Sequence, residues 1–300
     1  MEKKNKKIRL LITGASGLLG KKMMKMLPGL GFDVLGTSSK ASGKIKKMDV
    51  TDWKEVMDVV SGFKPDVVVH AAAVINVDWC EKNKDEAFRI NVEGTSNVVE
   101  ACNQNGAKMV LISTDYVFDG KKRGKYREED ERNPIGAYGW TKAEAEKVVE
   151  DMSNDAIIAR ASVLYGYNDR KDRETYVTYV IDTLKARKEV HGFTDQYNNP
   201  ALIDEVVEAI AKLIKLDEEG IFHVTGPENL SRYEFAMKIA KVFGFDKGLV
   251  KKGTWESSEH KAPRAKRLDE SIKKLESKGI RMSGIEEGLK KMKKQMEGAS

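Results

Sequence analysis

Cysteine and histidine, the residues that most often build disulfide frameworks and metal sites, are scarce in this chain of 300 residues. Cys80 and Cys102 are its only cysteines, and they provide neither a disulfide framework nor the spacing of metal ligands. This scarcity favours a reducing compartment, so we expect a cytoplasmic protein. The four histidines are scattered without ligand spacing, and no metal is expected: His70, His191, His223 and His260.

Long apolar runs and blocks of one charge are also absent. No run approaches the ~20 residues that a membrane-spanning helix needs, so no membrane partner is expected. The net charge is +6, but lysines and carboxylates alternate along the predicted helices. Because no nucleic-acid motif accompanies that charge, no nucleic-acid partner is expected either. With 40% hydrophobic residues, the chain can build one large domain that carries a smaller lobe.

The first half of the chain alternates apolar strands with helices. This pattern predicts an α/β fold, a Rossmann-type doubly wound parallel sheet covered by helices on both faces. We predict a dinucleotide-binding domain over residues 1–165 and a mainly substrate-binding, smaller C-terminal lobe over 166–300, with a segment near 190–222 returning to the sheet. Strands are predicted at Ile8–Thr13, Phe32–Leu35, Asp66–His70, Lys108–Ser113 and Ala156–Ala161, and helices at Leu18–Leu27 and Asp85–Asn103.

A glycine-rich loop follows the first predicted strand and leads into a helix. Its glycines, spaced three apart, permit a tight turn and let backbone N–H groups approach a pyrophosphate at the start of that helix. A purely structural turn is the alternative. The residues expected to bind a dinucleotide here are Gly14, Ser16, Gly17, Leu18, Leu19 and Gly20.

The end of the second strand indicates which dinucleotide is bound. An acidic residue there would hold the ribose 2′-hydroxyl of NAD, but this chain has Ser38, Ser39 and Lys40. Hydroxyl groups and a lysine suit the additional phosphate of NADP, so we predict NADP(H), with NAD still possible. Asp49 and Val50 are candidates to face the adenine, although Asp49 also fits a solvated carboxylate at a strand end.

Tyr138 and Lys142 are four residues apart, which places them on one face of a predicted helix. A cation beside a phenol lowers the pKa of the phenol from its ordinary value near ~10. We therefore expect Lys142 to turn Tyr138 into a proton donor or acceptor that works near neutral pH. The alternative is that Tyr138 only packs in the core.

The motifs together resemble the extended short-chain dehydrogenase/reductases, and within them the dTDP-4-dehydrorhamnose reductase family. The resemblance covers most of the chain. It rests on the glycine loop, on Ala71-Ala72-Ala73, on Ser113-Thr114-Asp115-Tyr116-Val117-Phe118-Asp119-Gly120 and on Tyr138-Gly139-Trp140-Thr141-Lys142. The Ser113–Gly120 block is the most specific of these motifs.

The resemblance implies a mechanism and a set of ligands. Tyr138 would protonate the C4 oxygen of a nucleotide-linked 4-keto-6-deoxy sugar, and Thr114 would hydrogen-bond that oxygen. Lys142 would also hold the nicotinamide ribose, and Ala71, Ala72 and Ala73 would line the cofactor site. Thr114 also fits a turn or helix cap. By analogy with relatives, a homodimer is possible.

Departures from the family pattern limit the assignment. Tyr116 follows Asp115, where related 4,6-dehydratases have a second carboxyl group, so dehydration is disfavoured. Val163 occupies the position of a tryptophan found near the sugar in rhamnose-pathway reductases, while Arg264 and Arg267 still suit a diphosphate. Two alternatives remain open: a non-catalytic regulatory subunit resembling the β subunit of methionine adenosyltransferase, and a nucleotide-sugar epimerase that retains NAD.

Overall fold

A computed structural model describes residues 7–167, 174–255 and 262–298. Its main sheet has seven strands, all parallel, in the order β11-β6-β5-β4-β1-β2-β3. These strands are β1 (Ile8–Thr13), β2 (Phe32–Ser38), β3 (Lys46–Lys47), β4 (Val67–His70), β5 (Lys108–Thr114), β6 (Ala156–Ala161) and β11 (Gly220–His223). The predicted doubly wound parallel sheet is confirmed.

Helices cover both faces of this sheet and build the C-terminal lobe. In chain order they are α1 (Leu18–Met26), α2 (Trp53–Phe63), α3 (Val77–Lys82), α4 (Lys84–Phe88), α5 (Gly94–Asn105), α6 (Ala137–Met152), α7 (Tyr176–Lys185), α8 (Ile203–Lys215), α9 (Arg232–Phe243), α10 (Lys273–Ser277) and α11 (Ile285–Gly298). A π-type turn at Arg89–Glu93 joins α4 to α5. Among these described elements, no helix is both long and apolar enough to cross a bilayer.

The side chains of β1 show why the sheet needs two layers of helices. Leu10 and Ile12 belong to the hydrophobic cluster that includes residues of α1 and α8. Leu11 points to the opposite face and joins the cluster that includes residues of α2 and α5. Because successive side chains of a strand point to opposite faces, an uninterrupted apolar strand is buried on both sides.

Short strand pairs lie outside the main sheet and belong mostly to the lobe. They are formed by β7 (Leu164–Tyr165) with β10 (Ala201–Leu202), β8 (Val190–Phe193) with β13 (Val250–Gly253), and β9 (Tyr197–Asn198) with β12 (Leu230–Ser231). A third hydrophobic cluster joins α7, α9 and α11 through buried residues such as Val180, Ile239 and Leu289. This cluster is the core of the smaller C-terminal lobe.

The second strand is longer than the sequence predicted. Instead of ending at Leu35, β2 continues to Ser38 because Gly36 and Thr37 remain in register with Ile12 and Thr13 of β1. A Cβ atom on Gly36 would lie 2.6 Å from the sulfur of Met24, so glycine lets α1 pack closely on the strand. The extension places Ser38 at the carboxyl end of the sheet.

Candidate functional site

A cleft of about 1000 Å³ lies beyond the carboxyl ends of the parallel strands. It opens where the chain leaves β1 and β4, the neighbouring strands at which the strand order reverses. Crevices at this switch point are the usual ligand sites of open parallel α/β sheets. Residues from α7 and α9 of the lobe complete the other side of the cleft.

The glycine loop is built so that backbone atoms approach one another closely. Gly14 has φ +68°, and a Cβ atom there would lie 2.6 Å from the backbone nitrogen of Ala72. At Gly20 a Cβ atom would lie 2.3 Å from the Gly14 carbonyl oxygen. Gly17 is the N-cap of α1 and has no side chain to cap it, so backbone N–H groups at the start of the helix are available to an anion.

Most of the predicted cofactor residues line this one cleft. The two exceptions are Lys40, which is exposed to solvent beside it, and Lys142, which is buried behind it. Those that line it are Gly14, Ser16, Gly17, Leu18, Leu19, Gly20, Ser38, Ser39, Asp49, Val50, Ala71, Ala72, Ala73 and Tyr138.

Buried hydrogen bonds hold the alanine segment against the glycine loop. The Thr13 hydroxyl accepts from the backbone N–H of Ala72 at 3.1 Å and lies 2.7 Å from His70 Nδ1. His70 Nε2 lies 3.2 Å from the hydroxyl of Thr95. Burial lowers the pKa of His70 to about 3, and the charge of Lys142 acts in the same direction. His70 is therefore a neutral structural link between β1, β4 and α5.

The three predicted catalytic residues lie at the carboxyl end of β5 and in the first turns of α6. Thr114 ends β5 and is buried, and it also caps the following turn by accepting from the N–H of Tyr116 at 3.3 Å. Thr114 therefore acts as a turn cap and lines the cleft together with Tyr138. Lys142 follows one helical turn after Tyr138, and both side chains are buried.

The expectation that Lys142 lowers the pKa of Tyr138 is wrong for this structure. Burial raises the pKa of Tyr138; the nearby hydroxyl of Thr114 opposes the rise, while the charge of Asp115 adds to it. Burial also lowers the pKa of Lys142 to about 8. A buried site disfavours both charged forms, so each group is driven toward its neutral state. Tyr138 consequently keeps its proton at neutral pH.

A buried carboxylate fixes the turn after β5. Asp115 accepts hydrogen bonds from the hydroxyl of Ser162 at 2.6 Å, the amide nitrogen of Asn198 at 2.8 Å and the hydroxyl of Thr114 at 3.1 Å. These partners come from three separate parts of the chain. Sequence reasoning noted Asp115 only as half of a missing carboxyl pair and did not find this supporting role.

A second support holds α6 in place beside that turn. Asn91, in the π-type turn, donates to the hydroxyl of Thr141 at 3.0 Å and to the carbonyl of Val74 at 3.0 Å. A Cβ atom on Gly139 would lie 2.2 Å from the carbonyl oxygen of Tyr116. The glycine after Tyr138 therefore lets α6 pack closely against the turn that contains Tyr116. The motif alone does not reveal this steric requirement.

A buried ion pair anchors the same helix to the sheet. Arg160 of β6 donates to the Glu146 carboxylate of α6 at 2.7 Å, and both side chains are almost fully buried. The hydroxyl of Ser113 donates to the same carboxylate at 2.5 Å. The pair thus joins α6, β5 and β6 close to the predicted catalytic residues.

The residues discussed as departures from the family pattern differ in their position relative to the cleft. Val163 lines the cleft, so an aliphatic side chain occupies that position. Arg264 pairs with Asp78 at 2.7 Å and lies 4.2 Å over the ring of Trp255, outside the cleft lining. Binding of a diphosphate by Arg264 or Arg267 stays a prediction.

The sheet topology, the glycine loop and the Thr114–Tyr138–Lys142 arrangement are those of the extended short-chain dehydrogenase/reductase class. The model of the family described as RmlD substrate binding domain matches residues 8–297. The chain therefore belongs to the RmlD substrate-binding domain family, and its predicted resemblance to dTDP-4-dehydrorhamnose reductases is confirmed.

Relatives at similar identity include a protein named as a reductase and one named as a methionine adenosyltransferase subunit. The dTDP-4-dehydrorhamnose reductase of Aggregatibacter actinomycetemcomitans is 34% identical over 81% of this chain and 80% of its own length. Methionine adenosyltransferase 2 subunit beta of Bos taurus is 33% identical over 91% of this chain and 83% of its own. The crystal structure of dTDP-4-dehydrorhamnose reductase from Bacillus anthracis in complex with NADP has a TM-score of 0.89 and 33% identity, covering 97% of this chain and 100% of that chain.

Proposed function

We propose that this protein reduces the C4 keto group of a nucleotide-linked 4-keto-6-deoxy sugar with NADPH, using Tyr138 as the proton donor. The observation that carries the proposal is the position of Tyr138. Its side chain lines the same cleft as the glycine loop and as Thr114, yet it is buried enough to keep its proton at neutral pH. Membership in a family that includes dTDP-sugar reductases supports this reading.

The residues at the cofactor end of the cleft are of the types that NADP binding requires. Gly14 and Gly20 leave room where a Cβ atom would collide with backbone, and the start of α1 is uncapped. Ser38 and Ser39 line the cleft at the end of β2, where an acidic residue would instead favour NAD. The relative from Bacillus anthracis that binds NADP supports the same choice. When bound, NADPH supplies the hydride.

The protein's own part in the reaction is to bind the carbonyl and provide a proton. Thr114 turns its hydroxyl proton from the Asp115 carboxylate to the carbonyl oxygen of the substrate. Tyr138 donates its phenolic proton to the same oxygen as negative charge develops there. A raised pKa suits this direction, because the phenol stays protonated until a stronger base, the developing alkoxide, forms. With a pKa of about 8, Lys142 is mostly charged at neutral pH, and by the family resemblance it would hold the nicotinamide ribose.

The test is a spectrophotometric assay with freshly generated dTDP-4-keto-6-deoxy sugar and NADPH. We expect the nicotinamide absorbance to fall in proportion to the sugar consumed, with NADH much less effective. A protein that binds NADPH but leaves the absorbance unchanged with dTDP-, UDP- and GDP-linked keto sugars would contradict the proposal.

A regulatory role is the second candidate, and the similarity to methionine adenosyltransferase 2 subunit beta favours it. Such a subunit would bind NADPH in the same cleft without turning it over. Size-exclusion chromatography with a catalytic methionine adenosyltransferase distinguishes the two candidates. A stable complex together with absent NADPH oxidation would favour the regulatory role, whereas oxidation without complex formation favours the reductase.

A further inference from the structure

Arg232 lies on the substrate side of the cleft, and its backbone is held firmly. It is the first residue of α9, next to a capping box in which the side chains of Ser231 and Glu234 bond reciprocally to backbone N–H groups. Its own N–H donates to the carbonyl of Gln196 at 3.2 Å, and its carbonyl accepts from the hydroxyl of Tyr176 at 2.8 Å. The position of this arginine is therefore fixed before any ligand arrives.

The Arg232 side chain is also oriented. Its guanidinium carbon lies 5.0 Å from the centre of the Tyr176 ring, within cation–π distance. Tyr176 begins α7, and both residues line the cleft. This contact holds the guanidinium beside the Tyr176 ring.

Over residues 7–167, 174–255 and 262–298, the guanidinium of Arg232 forms no ion pair and donates no hydrogen bond. Arg89, another arginine of the cleft lining, pairs with Glu86 at 2.6 Å and donates to Thr51 at 2.6 Å. A half-buried guanidinium has five N–H donors that need acceptors, so an unpaired one facing a cleft favours an anionic ligand.

Arg232 is close to the reacting end of the cleft as well. Burial raises the pKa of Tyr116, and the charge of Arg232 opposes that rise. Burial also raises the pKa of Asp115. Its three hydrogen bonds oppose that rise, and the charge of Arg232 opposes it further. Tyr116 packs edge-on against Tyr138, with ring centres 5.6 Å apart. An anion on Arg232 would therefore lie near the sugar and not at the cofactor loop.

We propose that Arg232 is a specificity residue that binds an anionic group of the sugar nucleotide beside the reacting sugar. The inference rests on the proposed function, because it assigns the contact that holds the sugar end of that substrate. The anion is the phosphate linked to the sugar, because a 4-keto-6-deoxy sugar carries no other charged group. A phosphate accepts the paired N–H bonds that a guanidinium offers.

Calorimetric titration of the full chain, saturated with NADPH, tests this assignment. The ligands are dTDP, UDP-glucose and UDP-glucuronate, and the proteins are wild type, Arg232→Gln, Arg232→Lys and Arg281→Gln. Arg281 is a matched control for loss of one arginine charge: its side chain is 83% exposed and pairs with Glu287 at 3.1 Å. Fluorescence titration with NADPH alone reports whether each variant keeps an intact cofactor site.

Loss of a charge-assisted contact lowers affinity by about 10- to 100-fold. We expect Arg232→Gln to weaken the binding of dTDP by that factor, whereas a loss confined to UDP-glucuronate would contradict the phosphate contact. Arg232→Lys recovers part of the affinity, while Arg281→Gln and NADPH binding stay at wild-type values. Unchanged affinity of Arg232→Gln for all three ligands would overturn this inference alone. Failure of the wild-type protein to bind any of them would overturn the proposed nucleotide-sugar function with it.

Discussion

The two ends of the cleft are made in different ways. The cofactor end consists of backbone and small residues such as Gly14, Ser39 and Ala72, which leave space. The substrate end consists of large polar side chains such as Tyr138 and Arg232. At the first end the structure makes room for a ligand, whereas at the second it holds large polar side chains in place.

This difference determines what supports each end. The glycine loop is local, because its close contacts join residues a few positions apart and one neighbouring strand. The substrate end depends on distant partners: Asp115 bonds to Asn198, and Glu146 of α6 pairs with Arg160 of β6. Substitutions at the cofactor end should therefore act by filling the space that a ligand needs. Substitutions at the substrate end should act by removing buried charges and hydrogen bonds.

The largest effect on stability is expected at the substrate end, from Glu146→Gln. The change leaves Arg160 buried without its counter-charge, and breaking a buried pair in this way costs about 3–5 kcal/mol of unfolding free energy. Glu144→Gln is the matched control on the same helix, because Glu144 forms a partly exposed pair with Lys147 at 2.9 Å. There we expect about 0.5 kcal/mol or less. Urea denaturation measures the unfolding free energy of both variants. Equal losses in the two would contradict the difference between the buried and the exposed ion pair.

Buried charge at Lys142 should make stability depend on pH. Its folded-state pKa of about 8 is below the ordinary 10.5, so between these values the unfolded chain binds more protons than the folded one. Stability from this group therefore rises with pH above about 8. Relative to Lys142→Met, the wild-type protein without cofactor should gain about 2 kcal/mol of unfolding free energy between pH 8 and 9.5. The unfolding free energy of both proteins is measured by urea denaturation at each pH. The same pH dependence for both would show that Lys142 is not desolvated.

Gly20→Ala tests the cofactor end by filling space. Its new methyl group would collide with the Gly14 carbonyl, and overpacking of this kind costs about 1–3 kcal/mol. Gly17→Ala is the comparison: a Cβ there lies 3.3 Å from the same oxygen, with an ordinary φ of −76°. We expect Gly17→Ala to keep its unfolding free energy but to bind NADPH at least about tenfold more weakly. A Gly17→Ala protein that is destabilised but binds NADPH normally would show that Gly17 supports the fold and not the cofactor.

The smallest expected effect separates Ser39 from Lys40. Ser39 lines the cleft at the end of β2, so Ser39→Asp should weaken NADPH by about tenfold or more and improve NADH, since a carboxylate repels a 2′-phosphate and accepts from a 2′-hydroxyl. Lys40 is exposed outside the lining, and Lys40→Ser should change NADPH affinity by less than about threefold. Fluorescence titrations with both nucleotides measure these changes. A larger loss for Lys40→Ser would restore Lys40 as the phosphate contact.

The same contrast explains how far the sequence could be interpreted. Strand periodicity and the glycine spacing are local signals, so they predicted the parallel sheet and most residues at the cofactor end. Tyr138 and Thr114, which were predicted from short motifs, also line the cleft, and their catalytic roles stay predictions. Contacts between segments far apart in the chain could not be predicted in this way. They include the partners of Asp115, the close packing at Gly139 and the contact of Arg232 with Tyr176. The pKa of Tyr138 was misjudged because burial is a property of the whole fold.

The most direct test of the reductase account compares wild type with Tyr138→Phe in NADPH oxidation by a freshly generated 4-keto-6-deoxy sugar nucleotide. Removing a general acid typically costs about 10²–10⁴-fold, so turnover should fall by that factor while NADPH affinity and unfolding free energy stay close to wild type. A Tyr138→Phe protein that oxidises NADPH as fast as wild type would show that the proton comes from elsewhere.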